Sequence, residues 1–142
     1  MKFSNMSVLQ PVKKSLSTLG QKYFSSSSCL GADQHFRLVV VGGGSGGCAT
    51  AAKFSRKLGT GKVAVIDPAT MHYYQPMWTL VGGGLKTLEQ SGKSMESVLP
   101  SSATWIKEKV TGFQPEENYV TTESGDKISY DFLVVAAGLQ LR

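Results

Sequence analysis

The first 32 residues of this 142-residue chain contain no aspartate or glutamate. They hold four lysines: Lys2, Lys13, Lys14 and Lys22. Subtracting these four from the formal charge of +5 leaves +1 for residues 33–142. The positive charge therefore belongs to the N-terminal segment and not to a binding face, which argues against nucleic acid as a partner. The chain also lacks any apolar run near the roughly 18 residues that a membrane-spanning helix needs.

The acid-free segment predicts a targeting sequence. It is rich in serine, with an unbroken run at residues 25–28, and four apolar residues share one helical face: Val8, Val12, Leu16 and Leu19. Mitochondrial transit peptides have this character, although they usually favour arginine over lysine. A secretory signal would need a continuous apolar core of about 7 to 15 residues, which is missing. We therefore interpret residues 1–33 as a mitochondrial transit peptide or a disordered tail, and residues 34–142 as folded.

The folded part opens with a strand–helix–strand pattern. Residues 36–41 form a short β-branched apolar run, typical of a buried parallel strand. Residues 45–58 follow a helical period, and Gly59 and Gly61 are expected to end the helix. A second apolar run occupies residues 62–67. The helical period predicts that four residues form one stripe, which faces the sheet: Gly47, Ala51, Phe54 and Leu58.

Three glycines between the first strand and the helix, Gly42, Gly44 and Gly47, have the spacing G-x-G-x-x-G. In dinucleotide-binding proteins the first glycine makes a tight turn, the second admits a pyrophosphate, and the third lets the helix pack closely on the strand. Free N–H groups and the dipole at the helix N-terminus favour the phosphates. Asp67 ends the next strand 20 residues after Gly47, where an acid binds a ribose hydroxyl. The pattern predicts a Rossmann-like α/β domain, and the alternative is a structural turn beside a solvated aspartate.

The C-terminal part predicts a small β-meander and a second nucleotide contact. Residues 105–110 predict one strand, and residues 118–123 and 127–130 predict a hairpin. A further apolar strand ends in small residues that let a backbone approach a dinucleotide: Ala136, Ala137 and Gly138. The glycine fingerprint serves both NAD and FAD. Its position at the start of the folded chain, followed by this second strand, favours FAD and a flavoprotein of the type with two dinucleotide-binding domains.

Residues 72–85, "HYYQPMWTLVGGGL", indicate a narrower family. Disulfide reductases of the glutathione-reductase type carry a Gly-Gly-Thr-Cys-x4-Cys dithiol after the second strand, and this chain has no cysteine there. The segment, together with "VVVGGGSGG", "VLPSSATWIKEKV" and "KISYDFLVVAAGLQL", closely resembles the mitochondrial type of sulfide:quinone oxidoreductase. The resemblance covers residues 36–142.

This resemblance implies non-covalent FAD that carries electrons from hydrogen sulfide to ubiquinone at the mitochondrial inner membrane, with the sulfur passing to an acceptor thiol. It also implies that Asp67 binds the adenosine ribose, where the family more often has glutamate. Gln75 would then bind near the phosphate and flavin side, and the backbone of Val110 would meet the adenine. The complete implied FAD-binding set is Gly42, Gly43, Gly44, Ser45, Gly46, Gly47, Asp67, Gln75, Val110, Ala137 and Gly138.

Neither cysteine matches the family's catalytic pair, which receives sulfide and contacts the flavin. Cys29 lies in the N-terminal segment, and Cys48 lies in the first helical turn, where a small apolar residue is needed. We therefore expect no catalytic residue and no metal site in this chain. The cysteine pair, the second dinucleotide-binding domain and the membrane-associated helices are expected in a longer protein, of which this chain would be the N-terminal part.

The aromatic segment has its own interpretation. His72 is interpreted as a structural hydrogen-bonding residue and not as a base. Tyr73, Tyr74 and Trp78 are interpreted mainly as packing beside the cofactor. Two alternatives to the sulfide enzyme remain open: a quinone reductase of the type II NADH dehydrogenase group, and a non-catalytic dinucleotide-binding fragment.

Overall fold

A six-stranded mixed sheet forms the centre of the computed structural model, which describes residues 33–139. The strands are β1 (Gln34–Val41), β2 (Val63–Ile66), β3 (Met71–Tyr73), β4 (Gly92–Ser94), β5 (Thr104–Ile106), β6 (Val110–Gln114), β7 (Tyr119–Thr122) and β8 (Lys127–Val135). The helices are α1 (Ser45–Leu58), α2 (Trp78–Gly82), α3 (Leu88–Ser91) and α4 (Met95–Val98). Two short 3₁₀ helices cover Gln75–Met77 and Pro115–Glu117.

The strand order in the main sheet is β5-β2-β1-β8-β7-β6. Strands β5, β2, β1 and β8 are parallel, while β6, β7 and the first part of β8 form an antiparallel meander. Strands β3 and β4 pair with each other in a separate two-stranded sheet. The predicted Rossmann-like arrangement with a small β-meander is therefore confirmed.

Strand β1 is buried on both faces, as its continuous apolar sequence predicts. Val39 and Val40 are fully buried, and they point into different core clusters because successive side chains alternate across a strand. One cluster joins β1 and β2 to the meander through Val120 and Ile128. The other joins them to α1 and α4 through Ala51 and Met95. These two layers fix the ends of β1 and β2, where the site lies.

The single strand predicted for residues 105–110 is wrong. The chain forms two strands there: β5 pairs with β2, and β6 pairs with β7, with Lys107, Glu108 and Lys109 between them. Apolar and β-branched residues on both sides of this charged connection favour extended structure. Local sequence does not show that the chain changes its pairing partner between them, because the partners are distant in sequence.

The predicted buried stripe of α1 is partly wrong. Gly47 and Ala51 are buried as expected, but Phe54 and Leu58 are each 37% exposed, and Cys48 and Ser55 are buried instead. The reason is the close approach of α1 to β1 at Gly47, which leaves room beneath the helix only for small side chains. The buried face is therefore rotated toward Cys48 and Ser55.

The targeting sequence predicted for residues 1–33 lies outside the described residues, except for Asp33. Cys29 lies outside them as well. Within residues 33–139, no helix is long and apolar enough to cross a membrane.

Candidate cofactor-binding site

A cleft of about 860 Å³ lies at the carboxyl ends of β1, β2 and β8. Strand β2 lies on one side of β1 and β8 on the other, so this edge is a switch point of the kind at which open α/β sheets bind ligands. Its volume is in the range of about 300–1,000 Å³ that small-molecule sites occupy. The cleft is lined by Gly42, Gly43, Gly44, Asp67, Ala69, Met71, His72, Tyr73, Gln75, Trp78, Met95, Ala136, Ala137, Gly138 and Leu139.

The three fingerprint glycines have different surroundings. Gly42 has a φ of +103°, which a side chain rarely adopts, and a Cβ there would collide with the carbonyl of Ala136. A Cβ on Gly47 would collide with the carbonyl oxygen of Gly42, so the helix packs on the turn only without it. A Cβ on Gly44 would meet nothing within 4 Å. The turn and packing roles predicted for Gly42 and Gly47 are thus confirmed, and Gly44 faces open space.

The carboxylate of Asp67 contacts the glycine loop directly, that is, residues 42–44 between β1 and α1. Its Oδ2 accepts a hydrogen bond from the backbone N–H of Gly43 at 2.5 Å, and its Oδ1 accepts one from Ala69 at 2.7 Å. The indole Nε1–H of Trp105 donates to the backbone carbonyl of Asp67 at 2.9 Å. Each carboxylate oxygen keeps a second lone pair, so the side chain can still accept hydrogen bonds from a ribose.

His72 and Cys48 meet beneath the glycine loop. The Nδ1 of His72 lies 3.0 Å from the carbonyl oxygen of Gly43, and the thiol of Cys48 donates to the same oxygen at 3.1 Å. Burial, and secondarily the charge of Asp67, raises the pKa of the Cys48 thiol above its ordinary value. A protonated thiol is a poor nucleophile. These contacts and the raised thiol pKa support the structural interpretation of both residues.

The two nucleotide-contact motifs of the sequence come together at the cleft. The backbone N–H of Ala136 donates to the carbonyl of Val41 at 2.7 Å, which continues the β1–β8 ladder past the end of β8. Ala137 and Gly138 follow and line the cleft beside the glycine loop, with Ala137 against Gly42. Pairing of strands that are about a hundred residues apart thus unites the motifs.

The aromatic segment forms another part of the cleft lining, called the aromatic wall below. The β3–β4 pair and the 3₁₀ helix Gln75–Met77 place Tyr73, Gln75 and Trp78 on the cleft. Tyr73 is 39% and Trp78 is 44% exposed, although both are largely apolar. Tyr74 instead lines a separate pocket of about 380 Å³ on the other side of His72.

Four members of the implied binding set do not line the cleft: Ser45, Gly46, Gly47 and Val110. Gly47 is buried where α1 packs against the carbonyl oxygen of Gly42. Ser45 and Gly46 are exposed in the first turn of α1, beside the loop, and Val110 packs against the meander core with Ile106. Met95 was missed by the sequence reasoning. Its side chain is 2% exposed and packs under Gly43, a contact across 52 residues that no local pattern could indicate. Among residues 33–139, no group of three or more His, Cys, Asp or Glu residues could hold a metal ion.

Comparison with known proteins identifies the family of this site. The family model described as pyridine nucleotide-disulphide oxidoreductase matches residues 36–142. The chain belongs to this family. Membership implies a flavin-type cofactor for a protein of this family.

Within the pyridine nucleotide-disulphide oxidoreductases, the chain is similar to mitochondrial sulfide:quinone oxidoreductases. It is 42% identical to the one from Mus musculus over 122 residues, or 86% of this chain and 27% of that protein. It is 44% identical to the one from Dictyostelium discoideum over 124 residues, or 82% and 27%. The resemblance stated from residues 72–85 is therefore confirmed, and these relatives support a mitochondrial location.

A solved structure agrees with the sequence relatives. The X-ray structure of the sulfide:quinone oxidoreductase from the hyperthermophilic bacterium Aquifex aeolicus matches with a TM-score of 0.63 and 30% identity. The match covers 77% of this chain and 25% of that chain. The chain thus spans about a quarter of the length of the relatives that it matches.

Proposed function

We propose that this protein binds FAD in the cleft and forms the FAD-binding part of a sulfide:quinone oxidoreductase. The observation that carries the proposal is the meeting of the glycine loop with Ala137 and Gly138 in one cleft that also contains Asp67 and the aromatic wall. The similarity to mitochondrial sulfide:quinone oxidoreductases supports the same substrates for the whole protein: hydrogen sulfide and ubiquinone.

The N-terminus of α1 fits the diphosphate of FAD. The helix has 14 residues and no acid in its first turn, so its unpaired N–H groups and dipole attract an anion without a competing carboxylate. Gly44 leaves the space above this turn open. In this proposal the N–H groups of Gly44, Ser45 and Gly46 bind the phosphate oxygens.

The adenosine end of FAD would lie against Asp67. Its carboxylate accepts the ribose hydroxyls, and its charge repels the extra phosphate of an NADP-type ribose. The backbone of Val110 is proposed to contact the adenine, as the family resemblance implies. Ala137 and Gly138, which have no bulky side chains, let the second strand end approach the dinucleotide.

The flavin end would lie along the aromatic wall. Tyr73 and Trp78 lose water-exposed area against a flat ring system, and Gln75 donates or accepts a hydrogen bond near the phosphate and flavin junction. When bound, FAD supplies a two-electron carrier between sulfide and the quinone. The side chains of this cleft hold and orient the cofactor and exclude water from it.

Sulfide oxidation is not assigned to Cys48. Its thiol is buried, its pKa is raised, and it contacts the loop backbone on the side away from the open space at Gly44. We propose that the persulfide forms on a cysteine pair in the whole protein, that an acceptor thiol takes the sulfur, and that the whole protein works at the mitochondrial inner membrane.

The proposal is tested by adding FAD to the purified chain and measuring the flavin absorbance that remains after gel filtration. Binding should also quench the fluorescence of Trp78, which lines the cleft, in a Trp105→Phe background. The matched control is Trp78→Phe, in which Trp105 is the remaining emitter and should respond less. A folded chain, verified by circular dichroism, that retains no flavin would contradict FAD binding.

The choice of electron donor is tested with the whole protein. Quinone reduction should be driven by sulfide and not by NADH. Reduction by NADH alone would favour the type II NADH dehydrogenase alternative.

A further inference from the structure

The peptide that joins Gly43 to Gly44 is held on one side only. Its carbonyl oxygen, on Gly43, receives Nδ1 of His72 at 3.0 Å and the thiol of Cys48 at 3.1 Å. Its N–H, on Gly44, donates to no residue among residues 33–139. Gly43 is buried and Gly44 is exposed. The same peptide plane therefore has one end fixed in the protein interior and the other directed at the cleft.

Peptide geometry links the two ends. The described residues contain no cis peptide bond, and in a planar trans peptide the C=O and N–H point in opposite directions. A carbonyl that is hydrogen-bonded to His72 therefore turns the Gly44 N–H away from His72. Gly44 itself is exposed and lines the cleft. The preceding peptide is fixed in a similar way, because the N–H of Gly43 donates to Asp67.

The contact also sets the tautomer of His72. A carbonyl oxygen can only accept, so Nδ1 must carry the proton in this contact. The imidazole is buried, with 9% of its residue surface exposed, and lies between the cleft and the pocket beside Tyr74. The His72 side chain thus acts on the loop through one defined atom.

From this geometry we infer that His72 is a positioning residue for cofactor binding: by donating from Nδ1 to the carbonyl of Gly43, it aims the Gly44 N–H at the diphosphate of the cofactor. The inference rests on the proposed function, because it needs a diphosphate in the cleft. Cys48 assists through a second, weaker hydrogen bond to the same oxygen.

Side-chain replacements can separate the two nitrogens of His72. The amide N–H of asparagine reaches the position of Nδ1, whereas that of glutamine reaches the position of Nε2. We expect His72→Ala and His72→Gln to weaken binding of ADP to the full chain roughly tenfold to a hundredfold, the cost of losing one well-aimed bond to a charged group. His72→Asn should retain most of the wild-type affinity for ADP. The control is His35→Ala, an exposed histidine at the other end of β1 that should leave affinity unchanged.

The NMR amide resonance of Gly44 reports directly whether its N–H contacts the added ligand. On addition of ADP it should shift in the wild type and in His72→Asn, but much less in His72→Ala. Three outcomes would overturn the inference. His72→Gln could bind ADP as tightly as His72→Asn, or His72→Ala could show the same Gly44 shift as the wild type. The wild type could also bind ADP without any shift of the Gly44 resonance. A wild type that shifts at Gly44 with ADP but retains no FAD would refute the proposed cofactor and leave the positioning role supported.

Discussion

The backbone N–H of Gly43 donates to Oδ2 of Asp67 at 2.5 Å, so the acid that ends β2 is joined to the glycine loop that follows β1. The bond spans 24 residues and joins the loops that follow two adjacent parallel strands. Because Oδ1 also accepts the N–H of Ala69, the carboxylate organises both loops at the edge of the cleft. The acid thus has a structural role beyond the ribose contact that its position in the sequence predicts.

Asp67→Asn should therefore reduce stability as well as cofactor binding. An amide can present only one oxygen to the two backbone N–H groups, and its own N–H₂ would face the other donor. We expect the free energy of unfolding, measured with urea, to fall by about 1–3 kcal/mol. Asp67→Glu keeps the negative charge but lengthens the side chain, so it distinguishes the effect of the charge from the effect of side-chain length. An asparagine variant as stable as the wild type would show that the 2.5 Å contact contributes little.

Alanine substitution at Gly47 should mainly reduce stability, whereas alanine substitution at Gly44 should mainly reduce FAD binding. Gly47→Ala places a methyl group against the Gly42 carbonyl and should cost at least about 3 kcal/mol of unfolding free energy, measured by thermal or urea denaturation. Gly44→Ala meets no protein atom within 4 Å and should cost no more than about 1 kcal/mol. It should nevertheless weaken FAD binding strongly, because the methyl group occupies the proposed diphosphate space. Full FAD affinity in Gly44→Ala would argue against that placement.

The sequence predicted most of the fold because the relevant signals are local. The glycine spacing, the apolar runs at β1 and β2, and the turn before β8 each determine structure within a few residues. The meeting of Asp67 with Gly43, and of His72 with the Gly43 carbonyl, spans 24 and 29 residues. Such contacts depend on how β2 and β3 pack against the rest of the structure, and the spacing of residues in the sequence does not predict that packing.

The errors have the same origin. Periodicity assigned Phe54 and Leu58 to the buried face of α1, but the close contact of Gly47 with the Gly42 turn rotated the helix toward Ser55. The change of strand partner after Ile106 likewise depends on the meander and not on local propensity. The short elements between β3 and β4 follow from no simple pattern in their residues.

Ser55 offers a stabilising substitution. Its hydroxyl is buried under α1 and has no hydrogen-bond partner among the described residues. Ser55→Ala removes this unsatisfied group and has a higher helix propensity, so we expect the free energy of unfolding to rise by about 1 kcal/mol. The control on the same helix is Thr50→Ala, whose hydroxyl already donates to the Gly46 carbonyl at 2.8 Å, and which should bring no such gain. A loss of stability in Ser55→Ala would indicate that its hydroxyl has a partner, such as a bound water.

The raised pKa of Cys48 predicts how stability depends on pH. In the unfolded chain the thiol ionises near its ordinary value of 9.0, whereas in the folded chain it stays protonated to higher pH, because burial and then Asp67 oppose the thiolate. Above pH 9 the folded state therefore binds more protons than the unfolded state, and stability must fall as pH rises. The test compares the wild type with Cys48→Ser, which keeps a donor to Gly43 but does not ionise, so that pH effects common to both proteins cancel. The difference in unfolding free energy between the two proteins should be constant from pH 6 to about pH 8 and should then shift against the wild type. Parallel pH profiles up to pH 10 would show that the Cys48 thiol ionises as readily in the folded chain as in the unfolded one.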